Sequence, residues 1–189
     1  LTGSLLEIQM GELRMVALDG FRLAMRLERL SGDTPELSAI LPQRALTEIA
    51  RVMADDETQM AMILIGGNQL MINMDTTQIY STLIAGEFIK YRQIIPKEWK
   101  TRVRVATDRF GSCVERASLM AREGRNNLIR LSVSEGRVVI TSNSESGDVY
   151  EEMEADTEGD DLDIAFNVRY MMDVLRAVKD DEISLQFNS

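Results

Sequence analysis

The sequence predicts an α+β protein made of repeated units, each consisting of a strand, a helix and three further strands in antiparallel sheets. The first observation is a segment at 166–187 that resembles the segment 125 residues earlier, at 41–62. The second is a weaker copy of the same pattern 60 residues before 166–187. Internal similarity at a fixed spacing indicates that one supersecondary unit is repeated. Each copy carries two arginines seven residues apart: Arg44 and Arg51, Arg109 and Arg116, and Arg169 and Arg176.

Composition predicts a soluble globular protein and weighs against several functional classes. The chain has 189 residues, of which 44% are hydrophobic and 28% charged, and this length suffices for two small domains. It holds no run of the roughly 20 apolar residues that a membrane span needs. The absence of histidine weighs against hydrolase triads and most metalloenzymes. The single Cys113 is expected to be a structural thiol, and the opening at Leu1, within a strand-like sequence, predicts a fragment.

The acidic charge is concentrated in one stretch. The chain carries a net charge of −10, and 148–161 contains eight acidic residues and no basic one, so that the rest of the chain carries −2. A local acidic stretch does not argue against nucleic-acid binding elsewhere. We expect it to lie away from the helices, and the alternative is an ordinary solvated loop and edge strand.

The first half of the chain is predicted to contain seven strands and one helix. Asp19-Gly20 between two apolar runs predicts a two-residue hairpin turn in which both residues have positive φ. Gly, Asp and Pro at 31–36 predict a loop, and Pro42 suits the opening turn of the helix that follows it. The predicted strands are 6–9, 13–18, 21–27, 38–41, 59–65, 70–74 and 78–84.

A connector at 86–96 separates this half from a second domain that repeats the pattern. Glu135-Gly136 predicts a turn between two strands. The predicted elements are a strand at 102–106, a helix at 107–120, strands at 128–133, 137–143, 149–155 and 162–166, a third helix, and a strand at 183–187.

Each helix is predicted to be amphipathic, because residues seven apart project almost the same way at about 100° per residue. The apolar face is expected to lie on the sheet of its own repeat and the arginine face to point away from it. An ordinary solvated surface helix is the alternative for any single copy. In the first helix the polar face is Arg44, Thr47, Glu48 and Arg51, and the apolar face is Ala45, Leu46, Ile49 and Met53; in the third, Arg169, Asp173 and Arg176 oppose Tyr170, Met171, Val174 and Val178.

Four stretches at 1–7, 16–24, 86–96 and 166–175, taken in this order, resemble the bacterial DNA polymerase III beta subunit family, the sliding clamps. The resemblance covers essentially all 189 residues. It implies the DNA clamp fold, a ring of two head-to-tail protomers with antiparallel sheets outside and helices lining the inner face. Residues 1–91 would be most of the middle domain and 92–189 most of the C-terminal domain. It also implies a cytoplasmic protein with no enzymatic activity, no cofactor and no metal.

The resemblance implies a groove that binds short peptides, often Gln-Leu-x-Leu-Phe-like, from the polymerase, the clamp-loader subunits and other DNA-processing proteins. Leu18, Phe21, Ile89 and Gln93 depart from the usual threonine, histidine, proline and arginine, so peptide preference is expected to differ while binding persists. Plain core packing is the alternative for Leu1, Leu23 and Ile94. The groove positions carried over are Leu1, Leu18, Gly20, Phe21, Arg22, Leu23, Ile89, Gln93, Ile94, Asn167 and Tyr170.

The resemblance also implies a DNA-facing surface and a protomer interface. The six repeated arginines would offer positive charge to the phosphates of double-stranded DNA without reading bases. Leu119, Met120, Ala121 and Glu151 would lie near the edge that meets the second protomer, and some acids of 148–161 would pair with bases on the absent first domain. The full-length protein is therefore expected to form a homodimer, with no membrane partner.

Two other functions remain open at this point. One is a homo-oligomeric scaffold of the same fold that does not bind DNA, whose arginines form salt bridges with Glu48 and Asp173. The other is an enzyme that uses scattered carboxylates. The enzyme is disfavoured by the lack of histidine and of a glycine-rich phosphate loop with its lysine.

Overall fold

The computed structural model describes residues 3–53, 61–74, 76–123 and 127–188, and these form two compact units. The first unit is Leu1–Tyr91 and the second is Arg92–Ser189. Each is a mixture of antiparallel sheets and helices, as the sequence predicts, and each is described separately below.

The first unit contains two antiparallel sheets and one helix. One sheet has four strands in the order β3-β2-β1-β4 and the other has three in the order β5-β6-β7. The predicted strand start at residue 59 lies outside the described residues. The elements are β1 (Gly3–Gln9), β2 (Glu12–Leu18), β3 (Leu23–Arg29), β4 (Leu37–Pro42), α1 (Gln43–Val52), β5 (Met62–Gly66), β6 (Gln69–Met74) and β7 (Thr77–Thr82).

Met10 and Gly11 form a two-residue hairpin turn between β1 and β2, whereas the turn predicted to have two residues at Asp19-Gly20 is longer. Met10 and Gly11 have φ of 53° and 75°, which is the geometry that a tight hairpin requires. Gly20 does not adopt a positive φ, and Leu18 pairs with Leu23, so four residues connect β2 and β3. The prediction was wrong because the Asp19 side chain stabilises a longer turn by accepting hydrogen bonds from two of its backbone N–H groups.

The core of the first unit joins α1 to both sheets. Ile49 of α1 packs in one buried cluster with Leu6 and Leu41 from the first sheet and with Leu70 and Ile72 from the second. Burial of such side chains stabilises the fold by about 25 cal/mol per Å² of apolar surface. Met53, which the helical pattern placed on the apolar face, is 46% exposed because it follows the last helical residue.

The opposite face of the first sheet is covered by the segment that follows β7, which contains Ile84 and Tyr91. Leu5 and Val16 pair across β1 and β2 and are buried there. Ile84 bridges to Ile40 of β4, and the hydroxyl of buried Tyr91 donates to the Glu7 carboxylate at 2.9 Å. This covering leaves no room for a side chain at position 3. A Cβ on Gly3 would lie 2.6 Å from Ile84 Cδ1 and from the Leu41 carbonyl oxygen.

The second unit contains two sheets and two helices. Its strand orders are β11-β10-β9-β13 and β12-β8-β14. A single 3₁₀ turn, Tyr91–Gln93, spans the boundary between the units. The elements are β8 (Thr101–Ala106), α2 (Thr107–Glu123), β9 (Leu128–Ser134), β10 (Arg137–Ser144), β11 (Gly147–Glu154), β12 (Asp156–Gly159), β13 (Leu162–Asn167), α3 (Val168–Ala177) and β14 (Glu182–Phe187).

The helix α2 lies on the sheet through a continuous apolar stripe. Phe110, Cys113, Val114, Ala117 and Ala121 recur at helical spacing and are all buried in the core of the unit. The predicted end of this helix at residue 120 is three residues short, because the buried Ala121 continues the apolar stripe and the helix ends at Glu123.

The strand β12 was not predicted, because its sequence, Asp-Thr-Glu-Gly, has low strand propensity. It forms against β8 in antiparallel register. Ion pairs cross the two strands: Arg104 Nη2 lies 2.6 Å from Asp156 Oδ2, and Arg102 bonds to Glu158. Pairing with a partner strand therefore overrides the local preference.

The repeat is confirmed at a spacing of 125 residues but not at 60. The strand and helix β4-α1 and their counterparts β13-α3 start and end 125 residues apart. The starts of β8 and β13, and of α2 and α3, are instead 61 residues apart. Asp108 and Glu115, and not the predicted arginines, therefore occupy the positions of Arg169 and Arg176.

Burial supports the spacing of 61. It matches Phe110 with Met171 and Val114 with Leu175, and all four pack in the same core. A spacing of 60 would match the fully buried Val114 with Val174, which is 52% exposed. The prediction that the middle helix carries arginines at the same two positions was thus wrong, because an offset of one residue rotates a helical residue by about 100°.

Candidate functional site

The six repeated arginines differ in what their side chains contact. Arg44, Arg109 and Arg169 are exposed on α1, α2 and α3. Arg51 Nη1 lies 2.9 Å from Glu48 Oε2, and Arg176 Nη1 lies 3.4 Å from Asp173 Oδ1. These are the two salt bridges that the non-DNA scaffold hypothesis requires.

The pairs at Arg51 and Arg176 do not remove these arginines from the candidate DNA surface. Both join residues three apart on one helix, and the side chains of all four residues are 47% exposed or more. Exposed pairs of this kind contribute about 0–1 kcal/mol, so a phosphate group can compete for the guanidinium. The salt bridges are compatible with either hypothesis.

Arg116 makes a different contact, with Glu151 of β11. Its Nε and Nη2 donate to the two carboxylate oxygens at 2.6 and 2.7 Å. These hydrogen bonds hold the pKa of Glu151 below its ordinary value and raise that of Arg116. The expectation that the acidic stretch lies away from the helices is therefore wrong at this position, because β11 runs beside α2.

Cys113 belongs to the same cluster. Arg116 Nη2 donates to its sulfur at 3.3 Å. Burial, and after it the negative charge of Glu151, raises the pKa of the Cys113 thiol. A buried thiol that is kept protonated is a poor nucleophile, so the geometry agrees with the structural role that the sequence predicts.

In the first unit the candidate groove residues lie around the turn between β2 and β3 and on the segment after β7. Leu18 and Leu23 pair at the end of the hairpin and are half-buried. Phe21 at the tip is 83% exposed and Ile89 is 46% exposed. The exposed Gly20 and Arg22 complete this set, and Leu1 lies outside the described residues.

The side-chain carboxylate of Asp19, whose hydrogen bonds the turn prediction did not include, fixes the turn between β2 and β3. Asp19 Oδ1 accepts from the backbone N–H groups of Phe21 and Arg22 at 2.8 and 3.0 Å, and its Oδ2 accepts from Arg22 Nε at 3.1 Å. The N–H of Phe21, more than any other contact, keeps the pKa of Asp19 below its ordinary value. The preference of aspartate for the first position of a turn is the signal that could have found it.

In the second unit the candidate groove residues lie on the 3₁₀ turn and at the start of α3. Gln93 is exposed and Ile94 is 56% exposed, which excludes Ile94 from the core of this unit. Asn167 caps α3 by accepting from the Arg169 N–H at 3.0 Å. Tyr170, in the first turn of this helix, is half-buried.

The candidate interface residues flank the open edge of a sheet. Within the described ranges, β11 is hydrogen-bonded to β10 alone. Leu119 is 57% exposed on the neighbouring α2, and Met120 Sδ accepts from the Ser144 hydroxyl at 3.4 Å. Ala121 is 1% exposed within the core, so a contact through its side chain with another chain is not available.

Two kinds of feature are absent from the described residues. No group of three or more Cys, Asp and Glu side chains there is placed to hold a metal ion. The helices of these same segments are all too short or too polar to cross a membrane.

Comparison with known proteins gives consistent matches over both units. Residues 92–189 match the family model "DNA polymerase III beta subunit, C-terminal domain", and residues 1–90 match "DNA polymerase III beta subunit, central domain". The "Beta sliding clamp" of Staphylococcus aureus is 36% identical over 189 residues, which are 99% of this chain and 50% of the relative.

Solved structures show the same fold. The DNA polymerase sliding clamp from Bacillus subtilis superposes with a TM-score of 0.92 at 34% identity, over 100% of this chain and 50% of that one. A putative DNA polymerase III beta subunit from Eubacterium rectale gives a TM-score of 0.94 at 29% identity, over 99% and 51%. The chain spans about half the length of the relatives it matches.

Proposed function

Because the chain belongs to the DNA polymerase III beta subunit family, we propose that it is the part of a sliding clamp that lines double-stranded DNA and tethers replication proteins. In the full-length protein, two copies form a closed ring around the duplex in the cytoplasm. The ring performs no chemistry of its own, and its contribution is to keep a polymerase on its template.

The observation that carries the DNA part of the proposal is the common layout of α1 and α3. Both helices bury one face in their units and carry two arginines, seven residues apart, on the solvent side. Charges that approach phosphates without bonding to bases bind any sequence, and such binding weakens steeply with salt. Weak contact without a fixed register allows a ring to move along DNA. The residues proposed to face DNA on this basis are Arg44, Arg51, Arg169 and Arg176. Arg109, which is exposed on α2, is proposed to face DNA on the family resemblance alone.

We propose that the chain binds short peptides, and that the exposed apolar residues at the β2–β3 turn of the first unit are among those that bind them. Phe21, Ile89 and Ile94 expose large apolar side chains, and a few such anchors can supply most of the affinity for a peptide. The peptides are Gln-Leu-x-Leu-Phe-like segments of the polymerase and of clamp-loader subunits. The Asp19 hydrogen bonds support this proposal, because a turn held in place loses little entropy when a peptide binds.

Retention on circular DNA tests the ring. The full-length protein, loaded onto nicked circular duplex by its clamp loader, is expected to stay bound in moderate salt and to be lost when one cut linearises the circle, because the ring can slide off an end. Retention that survives linearisation would refute encirclement. A protein that is not retained even on the nicked circle would instead favour the second candidate, a homo-oligomeric scaffold that does not bind DNA, in which Arg51 and Arg176 pair with Glu48 and Asp173.

A further inference from the structure

Arg116 is directed toward the edge strand of its own unit. Its guanidinium donates two hydrogen bonds to Glu151, at 2.6 and 2.7 Å, and a third to the sulfur of Cys113 at 3.3 Å. Two parallel bonds to one carboxylate fix the orientation of the guanidinium plane as well as its distance. The charge of Arg116 is therefore directed at β11.

This pair differs from those on the other helices in what it connects. Arg51–Glu48 and Arg176–Asp173 each join residues of a single helix, whose backbone already orders them. Arg116 and Glu151 are 35 residues apart and join a helix to a strand, and the Glu151 side chain is only 21% exposed. The bond therefore restrains two elements relative to each other.

The restrained strand, β11, is an edge strand of its sheet. Within the described ranges β11 is hydrogen-bonded on one side only, along all eight residues from Gly147 to Glu154. An open edge can pair with another chain, and elements with few partners open most easily. Leu119 is exposed on α2, one turn beyond Arg116.

We propose that Arg116 is a positioning residue for protomer assembly: through Glu151 it holds the β11 edge beside α2, ready to receive a second copy of the chain, and it does not contact DNA. The inference rests on the proposed function, because it needs the dimeric ring. It assigns Glu151 to a bond within its own protomer, so that any pairing with bases of the neighbouring protomer is left to other acids of 148–161.

Three variants of the full-length protein test this assignment. Arg116→Met keeps the apolar stem without the charge, Glu151→Gln keeps the shape of the side chain, and the double variant removes both groups. The dimer dissociation constant, measured by sedimentation, is expected to rise about 5- to 30-fold in each single variant. The double variant is expected to raise the dimer dissociation constant no more than the single variant with the larger effect, because all three variants lose the same bond.

A control on the same helix separates assembly from DNA binding. Arg109→Met is expected to weaken retention on DNA and to leave the dimer dissociation constant unchanged. Arg116→Met is expected to raise the dimer dissociation constant. At protein concentrations where the dimer is fully formed, it is expected to leave the salt dependence of DNA retention unchanged. A changed salt dependence would identify Arg116 as a DNA contact and overturn the proposal.

Two further outcomes would also overturn it. If Glu151→Gln weakens the dimer and Arg116→Met does not, Glu151 contacts the second copy directly. If Arg116→Met leaves amide hydrogen exchange of β11 unchanged in the full-length monomer, below its dimer dissociation constant, the bond does not order the strand. A wild-type protein that fails to dimerise would refute the ring itself, and the exchange experiment would then decide the role of the bond alone.

Discussion

The helices α2 and α3 hold equivalent places in the repeat and yet present different surfaces. Ten-residue α3 starts at the Asn167 cap and exposes Arg169 and Arg176. Seventeen-residue α2 carries Asp108 and Glu115 at those positions, and its nearby Arg116 bonds to β11. The two helices agree where they meet the core and differ where they meet solvent. A repeat therefore predicts which side chains are buried in the core. It is a much poorer guide to the charges and contacts of the side chains on the solvent face.

Substitution of two valines, one on each helix, tests this comparison through protein stability and gives the largest expected effect. Val114→Ala on α2 is expected to destabilise the second unit by about 2 kcal/mol, because it leaves a cavity where the side chain is fully buried. Val174→Ala on α3, at a side chain that is 52% exposed, is expected to change stability by less than about 0.5 kcal/mol. Denaturant unfolding of both variants measures the difference. Equal losses would favour the spacing of 60 residues over 61.

Peptide binding gives the next largest effect. Tyr170→Ala on α3 and Leu23→Ala in the first unit are each expected to weaken binding of a Gln-Leu-x-Leu-Phe-type peptide by about tenfold, since each removes apolar contact area. Arg109, the counterpart of Tyr170 on α2 at the spacing of 61, provides the matched control. Arg109→Ala is expected to leave the peptide affinity unchanged. Calorimetric titration of the full-length protein measures all three, and a thermal melt checks that each variant is folded.

The smallest effect concerns DNA. Arg169→Gln is expected to reduce the slope of log affinity against log salt by about 0.9, the value for one lost phosphate contact. Asp108→Asn, the substitution at the equivalent place on α2, removes a negative charge and is expected to leave that slope unchanged. Equal changes in both variants would mean that overall charge, and not the arginine face of α3, determines DNA binding.

Much of the fold was readable from the sequence because strand alternation and helical periodicity are local signals. The strand and helix β13-α3 could be placed from their likeness to β4-α1, which lie 125 residues earlier. The turn between β2 and β3 has four residues instead of the predicted two because the Asp19 carboxylate competes with the preference of glycine for positive φ. The strand β12 was missed because its stability comes from pairing with β8.

The candidate sites were less predictable, because their chemistry depends on contacts between distant residues. The repeat grouped Arg116 with the other helix arginines, and the family resemblance placed Glu151 near the protomer edge, whereas the folded chain bonds them to each other. No local pattern encodes a contact across 35 residues. The sequence likewise left core packing open as the role of Ile94, and its 56% exposure excludes that role.

The bond between Tyr91 and Glu7 has a mechanical consequence. Tyr91 is the last residue of the first unit, and its hydroxyl is anchored to β1, a strand hydrogen-bonded to β2 on one side and to β4 on the other. A force that pulls on the chain at residue 92 is therefore transmitted to β1, a central strand of a four-stranded sheet, where many backbone hydrogen bonds resist it.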